Sequence, residues 1–454
     1  MARTAQFDVI DIIDRQTLGA YHYWIAGLCG ATVLMDGFDT QAIGFVAPAL
    51  TEQWHITRAG LGPALSSGLL GMLLGALVFG FLGDRWGRKN VLIICTLWFG
   101  IGSLITAQAT SLNQLLLVRL LTGFGLGGTL PNATALTSEF MPVRRRATGV
   151  TMMLVGFSLG GAVGGVVAST LMSGLGWQSV FIVGGLVPCA TAILLFGLPE
   201  SVRFLMLKGE TARALRVLKR IAPDIVMEDA SRLEFHAAGS RNMPVTKLFT
   251  DNRATTTLLI WSLFFLGLID LYFLNGWLPS MIHDAGIALQ QAIVITTFYH
   301  AGGVIGTIVM GFLVDFFQSY RPLAYGYSLG VLAVVAIALL ATSAGLSLVF
   351  EALALFAVGF GVTGAHTTAY SLAAECYPTS LRSTGIGWGV GIGRIGSILG
   401  PVLGGILLSY NLGMRRIFLV TAIPLMLAAL VAAALCKKSA REKEILKEEV
   451  SLRE

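Results

Sequence analysis

Five ionic side chains interrupt the apolar stretches of this chain: Asp36, Asp39, Asp270, Arg119 and Arg394. A charge at the centre of a bilayer costs about 2.5–3.5 kcal/mol on insertion scales, so such residues persist where they face a cavity, find a partner or perform a function. Asp36 and Asp39 stand three residues apart, on nearly one face of a helix. Because two neighbouring carboxylates in a low dielectric do not both ionise readily, we predict that at least one of them binds a proton. A structural pair, held by backbone or by an arginine, is the alternative.

Asp270 and Arg119 extend this ionic set. Asp270 follows Asp39 by 231 residues, the spacing of an internal repeat, and we predict that it also takes part in proton coupling. A helix-capping carboxylate is the alternative for Asp270. Arg119 could pair with an acid of the first span and transmit changes in its protonation, or it could form an ion pair that serves packing alone.

Arg394 is predicted to bind an anionic ligand. A carboxylate in a dry site needs a cationic partner, and a guanidinium offers it two parallel hydrogen bonds. The repeat position of Arg394, 236 residues earlier, holds Ser158. An arginine present in only one of the two repeats argues against a purely architectural role.

Polar and aromatic residues within the apolar stretches are candidates for lining a ligand cavity. Aromatic rings would stack on an aromatic ligand, and polar groups would bind its substituents. A histidine, with its ordinary pKa of about 6.5, can also relay protons. Core or interfacial packing is the alternative for each residue. The candidates are Gln41, Asn132, Asn275, Trp277, Tyr299, His300, His366 and Tyr370.

Other chemistry finds no support in the sequence. We identify no nucleotide-binding loop, metal-ligand cluster or nucleophile triad, and we predict no enzyme activity, no cofactor and no metal. The glycine-rich segment 123–128 lies in an apolar stretch with no strand before it, unlike a dinucleotide-binding loop. Any energy for moving a ligand must then come from ion gradients.

The composition indicates a membrane protein. Of the 454 residues, 55% are hydrophobic and 12% are charged, whereas soluble domains carry about 25% charged residues. A crossing takes about 20 apolar residues, and it must be helical because lipid offers the backbone no hydrogen-bond partner. Acidic residues at 8, 11 and 14 argue against a signal peptide. Twelve spans are predicted at 23–48, 60–83, 90–109, 114–136, 147–172, 178–198, 255–281, 290–314, 322–343, 346–370, 384–410 and 415–436.

The basic residues predict the orientation in the membrane. With both termini in the cytoplasm, the cytoplasmic segments hold 26 of the 31 Lys and Arg residues, and the outer loops hold only Arg58, Arg415 and Arg416. Lys and Arg accumulate on the cytoplasmic side of membrane proteins. The sequence therefore predicts cytoplasmic termini.

The two halves of the chain are repeats. The segment 139–149 recurs at 375–385 with Glu, Pro, Arg, Thr and Gly in register, and 80–84 recurs at 311–315. Duplicated halves around a linker are typical of transporters. The predicted organisation is an N-terminal six-helix bundle (1–198), a cytoplasmic linker (199–254) with a helical run at 211–221, a C-terminal six-helix bundle (255–436) and a cytoplasmic tail (437–454).

Several motifs carry a resemblance to a known family. The segment 80–89 (GFLGDRWGRK) resembles the loop signature between spans 2 and 3 of the major facilitator superfamily, and 119–128 (RLLTGFGLGG) resembles its span 4 motif. Within that superfamily, four further segments resemble the aromatic acid:proton symporter family: 36–40 (DGFDT), 130–133 (LPNA), 271–279 (LYFLNGWLP) and 387–396 (GWGVGIGRIG).

This resemblance covers nearly the whole chain. It implies the major facilitator fold, an all-α membrane protein with twelve transmembrane helices in two pseudo-symmetric six-helix bundles. The implied activity is uptake of a small aromatic carboxylate together with protons, by alternating access, in a bacterial inner membrane. The expected partners are that carboxylate, protons and the lipid bilayer, with no nucleic acid, and we expect a monomer.

The resemblance also implies a cytoplasmic gate at the loop signature and its repeat. The alternative is that these charges fix only the topology and a tight turn. The second copy departs from the pattern, since Asp315 is followed by two phenylalanines and a glutamine, and span 10 carries His366 where relatives more often have Gln. The gate residues are Asp84, Arg85, Gly87, Arg88, Lys89, Glu139, Asp315, Glu375 and Arg382.

Two other functions stay open at the level of sequence. One is a different transporter, for sugar or polyol uptake or for drug efflux, because the segment 198–203 (LPESVR) resembles the one after span 6 of sugar porters. A sugar would not need Arg394. The other is a non-transporting membrane sensor, against which the absence of an appended signalling domain counts.

Overall fold

The computed structural model describes residues 7–222, 233–234, 244–250, 253–317, 319–340, 348–378, 381–410 and 412–451. The predicted linker is described only in part, since 223–232, 235–243 and 251–252 lie outside the described residues. So do 1–6 of the predicted N-terminal bundle, 318, 341–347, 379–380 and 411 of the predicted C-terminal bundle, and 452–454 of the tail.

Helices make up nearly all of the described chain. Their bounds are α1 (Val9–Asp14), α2 (Ala20–Trp54), α3 (Arg58–Trp86), α4 (Arg88–Thr106), α5 (Leu112–Phe140), α6 (Arg146–Leu175), α7 (Gln178–Leu195), α8 (Val202–Leu207), α9 (Thr211–Ile221), α10 (Ala254–Asp284), α11 (Leu289–Phe317), α12 (Arg321–Leu340), α13 (Leu348–Cys376), α14 (Arg382–Ser409) and α15 (Gly413–Ser451). A 3₁₀ turn spans Val245–Phe249, and β1 (Phe7–Asp8) pairs in parallel with β2 (Leu233–Glu234).

Each of the twelve predicted spans coincides with one long helix, α2 to α7 and α10 to α15. Within the described residues, ten of these helices are long and apolar enough to cross a membrane. The other two are α2, which carries Asp36 and Asp39, and α5, which carries Arg119. Both helices that fall short of the apolarity expected of a span hold buried charged residues, although α10 meets it with Asp270 buried within it.

Contacts divide the chain into two units. The first contains 1–40, 70–160 and 178–240, and the second contains 41–69, 161–177 and 241–454. The second unit therefore includes one end each of α2, α3 and α6 beside the helices that follow the linker. The division into functional bundles at 198 and 255 stays a prediction.

Close helix contacts in the first unit depend on glycine. A Cβ atom placed on Gly71 would lie 2.1 Å from the Leu120 carbonyl oxygen, and one on Gly75 would lie 1.9 Å from that of Phe124. These distances leave no room for any side chain, so α3 and α5 meet backbone to backbone. Small residues permit such an approach in membrane proteins, where van der Waals packing holds helices together.

The second unit repeats the same contacts. A Cβ on Gly302 would lie 2.0 Å from the Phe356 carbonyl oxygen, and one on Gly306 would lie 2.2 Å from that of Phe360. These glycines follow Gly71 and Gly75 by 231 residues, and these carbonyls follow those of Leu120 and Phe124 by 236. The packing of α11 on α13 thus reproduces that of α3 on α5, which confirms the repeat.

The linker contributes an amphipathic helix. The buried residues of α9 are Ala214, Leu215, Leu218 and Ile221, spaced three and four apart along one face. This period is that of a helix lying on an apolar surface with its basic residues in water. The predicted helical run at 211–221 is confirmed.

Candidate ligand-binding and ionic site

The first unit holds a buried ion pair between α2 and α5. Arg119 Nη1 donates to Asp39 Oδ2 at 2.8 Å, and Nη2 donates to the Asp39 carbonyl oxygen at 3.2 Å. The two side chains are 3% and 0% exposed. The guanidinium also lies over the Phe181 ring at 5.6 Å. The pairing of Arg119 with an acid of the first span, which the sequence left open, is therefore present.

Asp36 lies one turn before this pair. It is fully buried, and its Oδ1 accepts a hydrogen bond from Thr40 Oγ1 at 3.2 Å. The Thr40 hydroxyl also contacts Met72 Sδ at 3.8 Å, which ties this turn of α2 to α3. The two acids of the first span thus have different partners, a guanidinium for Asp39 and a hydroxyl for Asp36.

Asp270 is the acid of the second unit, and its environment differs from that of Asp39. It is 2% exposed, and in the part of the chain that the structure describes it forms no ion pair and its Oδ2 has no hydrogen-bond partner. The repeat position of Arg119 is Leu355, which cannot supply a charge. Burial without a cation favours the neutral, protonated form of a carboxyl group.

Two tyrosine side chains lie near Asp270. Tyr299 on α11 and Tyr327 on α12 lie close enough for the charge of a carboxylate to act on them, and they are 1% and 0% exposed. Phenols can both donate and accept hydrogen bonds. Asp270 therefore sits in a polar setting built from three helices.

Arg394 on α14 stands beside an aromatic cluster of the same unit. Its Nη1 lies 3.5 Å from the Tyr272 hydroxyl, and its charge acts on His366 and Tyr370. Arg394 is half-buried, and Tyr370 is 37% exposed. A cation that keeps some exposure beside aromatic side chains can bind an anionic ligand with an aromatic ring.

The aromatic cluster consists of Phe264, His366 and Tyr370, whose rings meet edge to face. The ring centroids lie 5.7 Å apart for Phe264 and His366, 4.9 Å apart for Phe264 and Tyr370, and 5.8 Å apart for His366 and Tyr370. Edge-to-face contacts are a preferred arrangement of aromatic pairs, and of these three rings Tyr370 is the one that keeps exposure to a ligand.

The remaining predicted ligand residues lie elsewhere. Asn132 donates to the carbonyl oxygens of Phe79 and Gly128, at 3.2 and 2.7 Å, and so joins α5 to α3 in the first unit. Trp277 is fully buried and donates to the Pro401 carbonyl oxygen at 2.8 Å, which joins α10 to α14. Both side chains serve helix packing in this structure.

Gln41, Asn275 and His300 belong to the contact of the ends of α2 and α6 with α10 and α11. A Cβ on Gly161 would lie 2.0 Å from Gln41 Oε1, and the His300 ring lies 5.8 Å from that of Phe45. Asn275 is buried. The rings of the neighbouring residues Tyr299 and His300 meet edge to face, with centroids 5.1 Å apart.

The predicted gate residues of the first unit cluster at the turn from α3 to α4. Asp84 and Arg88 form an ion pair, and Lys89 Nζ donates to the Phe196 carbonyl oxygen at 2.7 Å. Gly87 has φ +98°, a conformation that favours glycine. Arg85 lies at the end of α3.

Glu200, which the sequence did not single out as a gate residue, ties this turn to the segment after α7. Its Oε1 accepts hydrogen bonds from the backbone N–H of Lys89 at 3.2 Å and of Ser201 at 2.9 Å. Burial raises the pKa of Glu200 above its usual range, although these N–H groups act in the opposite direction. Glu139 joins the same cluster by accepting from the Ser201 hydroxyl.

The repeat copy of the gate is held differently. Glu375 interacts with the hydroxyl of Tyr320, and Asp315 is also close enough for its charge to act on that phenol. Arg382 is exposed at the start of α14. A tyrosine thus stands among the acids of the second copy, where the sequence lacks the arginines of the first.

Sequence reasoning missed Tyr272, Tyr327 and Gly267 at the second-unit site. Tyr272 lies within the recognised motif at 271–279, and that motif is the signal that could have drawn attention to it. Nothing in the local sequence distinguishes Tyr327 from the other tyrosines of the chain. Gly267 stands one turn before Asp270, a spacing that marks a shared helix face.

Comparison with known proteins places these features in a family. The sequence matches the family model described as Major Facilitator Superfamily over residues 29–393 and 260–453. It is 38% identical over 436 residues to the gallate transporter of Pseudomonas putida, with 95% of both chains covered. It is 40% identical over 439 residues to the 4-hydroxybenzoate transporter PcaK of Pseudomonas aeruginosa, covering 95% of this chain and 96% of the relative. The 3-(3-hydroxy-phenyl)propionate transporter of Escherichia coli is 36% identical over 419 residues, with 91% and 94% covered.

Solved structures share the fold at low sequence identity. A bacterial homologue of the human lysosomal transporter Spinster, in an inward-facing and unoccupied conformation, superposes with a TM-score of 0.69 at 17% identity, covering 93% of this chain and 98% of the other. A D-xylose-proton symporter superposes with a TM-score of 0.69 at 16% identity, covering 91% and 97%. At such identities these structures establish the fold alone.

Proposed function

Since this chain belongs to the Major Facilitator Superfamily, we propose that it takes up a small aromatic carboxylate together with protons across a bacterial inner membrane. Relatives that cover nearly the whole chain are named as transporters of gallate, 4-hydroxybenzoate and 3-(3-hydroxy-phenyl)propionate, all of which are aromatic acids. The sugar, polyol, drug and sensor alternatives have no comparable relative among these.

The observation that carries the substrate proposal is the position of Arg394. It is half-buried in α14, lies beside the Tyr272 hydroxyl at 3.5 Å and acts on His366 and Tyr370. The guanidinium would bind the substrate carboxylate with paired, charge-assisted hydrogen bonds. The neighbouring rings would stack on the substrate ring.

The proton proposal rests on the contrast between Asp270 and Asp39. Asp39 is neutralised by Arg119 at 2.8 Å, whereas the described residues offer Asp270 no cation. A carboxyl group that is buried and lacks a cation favours the protonated form, so it can collect a proton in one state of the transporter and lose it in another. Asp270 is thus our candidate for the carried proton, and Asp36, Asp39 and Arg119 are proposed to transmit the change.

The cycle follows from alternating access. Protonation of Asp270 and binding of the carboxylate to Arg394 load the transporter, and the lower proton activity inside the cell releases the load. The turn at Asp84–Arg88, tied by Glu200 and Ser201, is proposed to close the cytoplasmic side. One proton carried with one monoanion makes transport electroneutral, and each further proton adds about 2.3 kcal/mol per 100 mV. This proposal includes an orientation with both termini in the cytoplasm, and it takes the protein to be a monomer.

Uptake into proteoliposomes tests the proposal. Labelled 4-hydroxybenzoate should accumulate when the outside is more acidic than the inside, and a protonophore should abolish accumulation. D-xylose should not accumulate. Arg394→Gln should lower the apparent affinity at least tenfold, since a charge-assisted hydrogen-bonded pair contributes about 1.5–3 kcal/mol. The exposed Arg416→Gln serves as the matched control and should behave like the parent.

Two results would contradict the proposal. If 4-hydroxybenzoate accumulates to the same level with and without the pH gradient, proton coupling is excluded. Equal uptake by the Arg394→Gln and Arg416→Gln proteins would remove Arg394 from the substrate site.

A further inference from the structure

Three buried polar side chains of the second unit lack hydrogen-bond partners and share one neighbourhood. Asp270 Oδ2, the Tyr327 hydroxyl and both ring nitrogens of His366 have no partner in the described part of the chain. Their exposed fractions are 2%, 0% and 5%. An unsatisfied buried polar atom costs about 1–3 kcal/mol. A cluster of such atoms points to a role that requires them to stay available.

Gly267 lies beside two of these side chains. A Cβ atom added there would lie 2.6 Å from the Tyr327 hydroxyl oxygen and 2.8 Å from His366 Nδ1. The two atoms therefore flank the same point, from α12 and from α13. Asp270 follows Gly267 by three residues on α10, so it shares that helix face.

The cluster extends toward the candidate ligand site at one end. His366 meets Tyr370 edge to face at 5.8 Å, and Tyr370 is 37% exposed. Arg394 acts on both His366 and Tyr370. At the other end, Tyr327 lies within range of the charge of Asp270. His366 thus stands between a ligand-accessible tyrosine and a buried phenol.

We propose that His366 and Tyr327 form the route by which a proton reaches and leaves Asp270, with a water molecule in the gap beside Gly267. This inference rests on the proposed function, since it takes Asp270 as the proton-binding residue. It assigns roles to Tyr327 and Gly267, neither of which contacts the ligand in the mechanism above.

Each step of the route conserves protons. His366 accepts a proton at one ring nitrogen and releases one from the other, as a neutral imidazole has one donor and one acceptor nitrogen. The water bridges His366 Nδ1 to the Tyr327 hydroxyl, because these two atoms do not hydrogen-bond directly. The Tyr327 hydroxyl has no direct hydrogen bond to Asp270 either, so it gives its proton to that carboxylate through a second water. It regains a proton from the first water, which in turn is reprotonated by His366. Each carrier ends with the number of protons it began with, and the imidazole ends in its other tautomer.

Other charged and titratable groups near the route come from each helix around it. Tyr299 on α11 lies beside Asp270, and Tyr272 on α10 acts on Tyr299 and Tyr370. Arg394 on α14 faces His366. A cation beside the histidine favours the neutral imidazole, which is the form that can accept a proton and pass it on. Binding of a carboxylate to Arg394 would lessen that effect and so link substrate arrival to proton uptake.

Two transport measurements distinguish a proton route from a substrate site. Net accumulation driven by a pH gradient requires Asp270 to gain and lose a proton in every cycle. Exchange of labelled 4-hydroxybenzoate outside for unlabelled 4-hydroxybenzoate inside needs no net proton transfer. Tyr327→Phe removes only the bridging hydroxyl, and Gly267→Ala places a methyl group against both atoms that the water would bridge.

In both variants the net accumulation should fall at least about tenfold, while exchange is retained. The upper limit of the loss is the factor of about 10²–10⁴ that a positioned proton-transfer group contributes. The matched controls are Tyr325→Phe and Gly27→Ala. Tyr325 is two residues from Tyr327 and 67% exposed, and a Cβ added to Gly27 would meet no atom within 4 Å. Gradient-driven accumulation by Tyr327→Phe and Gly267→Ala at the level of these controls would overturn the proton route. Equal loss of accumulation and exchange in a folded variant would overturn it too, because that pattern marks a substrate contact. A parent protein that fails to exchange 4-hydroxybenzoate would instead reject the proposed function.

Discussion

The buried pair of Asp39 and Arg119 yields the most quantitative prediction. Asp39→Asn keeps the size of the side chain and removes its charge, so the guanidinium of Arg119 stays buried without an anion. The side chains are 0% and 3% exposed, which leaves little water to replace the lost partner. We expect the variant to fold less stably and to transport poorly.

The size of the loss follows from the contacts that remain. Removal of one partner from a buried ion pair costs about 3–5 kcal/mol. Arg119 would keep its bond to the backbone carbonyl of residue 39 at 3.2 Å and its position over Phe181 at 5.6 Å. A cation–π contact contributes about 0.5–2 kcal/mol, so it cannot replace the carboxylate.

Thermal unfolding of purified protein in detergent measures the effect. Asp36→Asn is the matched control, because Asp36 accepts a hydrogen bond from Thr40 and an amide oxygen can still accept it. The Asp39→Asn midpoint should fall well below that of the control. Adding Arg119→Met should recover part of the loss, since a buried pair replaced by apolar residues is often neutral or stabilising. Equal midpoints for Asp39→Asn and Asp36→Asn would refute the reasoning.

Three further predictions concern other parts of the molecule. Asp284→Asn breaks the two-pronged ion pair with Arg58 that joins α3 to α10; because the pair is partly exposed, we expect a midpoint loss equivalent to about 1 kcal/mol or less, shrinking in high salt. Burial raises the pKa of Glu200 in the folded protein, so its stabilising contribution is complete below the ordinary pKa and is lost as the pH rises through the raised value. The unfolding midpoint should therefore rise on acidification from pH 7 toward pH 5, and Glu200→Gln should flatten that rise. Gly75→Ala forces a Cβ against the Phe124 carbonyl oxygen, 1.9 Å away, and should lower the midpoint and the yield of folded protein, whereas Gly27→Ala should not.

The sequence predicted the helices well because each span is long and apolar. Even so, α2 and α5, which carry Asp36, Asp39 and Arg119, fall short of ordinary span apolarity. The helical period placed Asp36 and Asp39 on one face. It could not decide which of them pairs with Arg119, because that depends on the rotation of two helices about their axes.

Side chains that act through neighbours on other helices were the hardest to identify. Asn132 and Trp277 are polar or aromatic residues in apolar helices, and their side chains donate hydrogen bonds to carbonyl oxygens of neighbouring helices. Tyr327 looks like an ordinary tyrosine until its hydroxyl is found beside Gly267 and His366. Local sequence carries no information about such tertiary neighbours.

The glycine contacts that recur in both units have a consequence for motion. Where Gly71 meets Leu120 and Gly302 meets Phe356, peptide planes touch with no compressible layer of side chains between them. Helices joined in this way cannot slide past each other or part without first losing that fit. During a transport cycle α3 with α5, and α11 with α13, should therefore travel as rigid couples, so spin labels placed within one couple should report a constant separation with and without substrate.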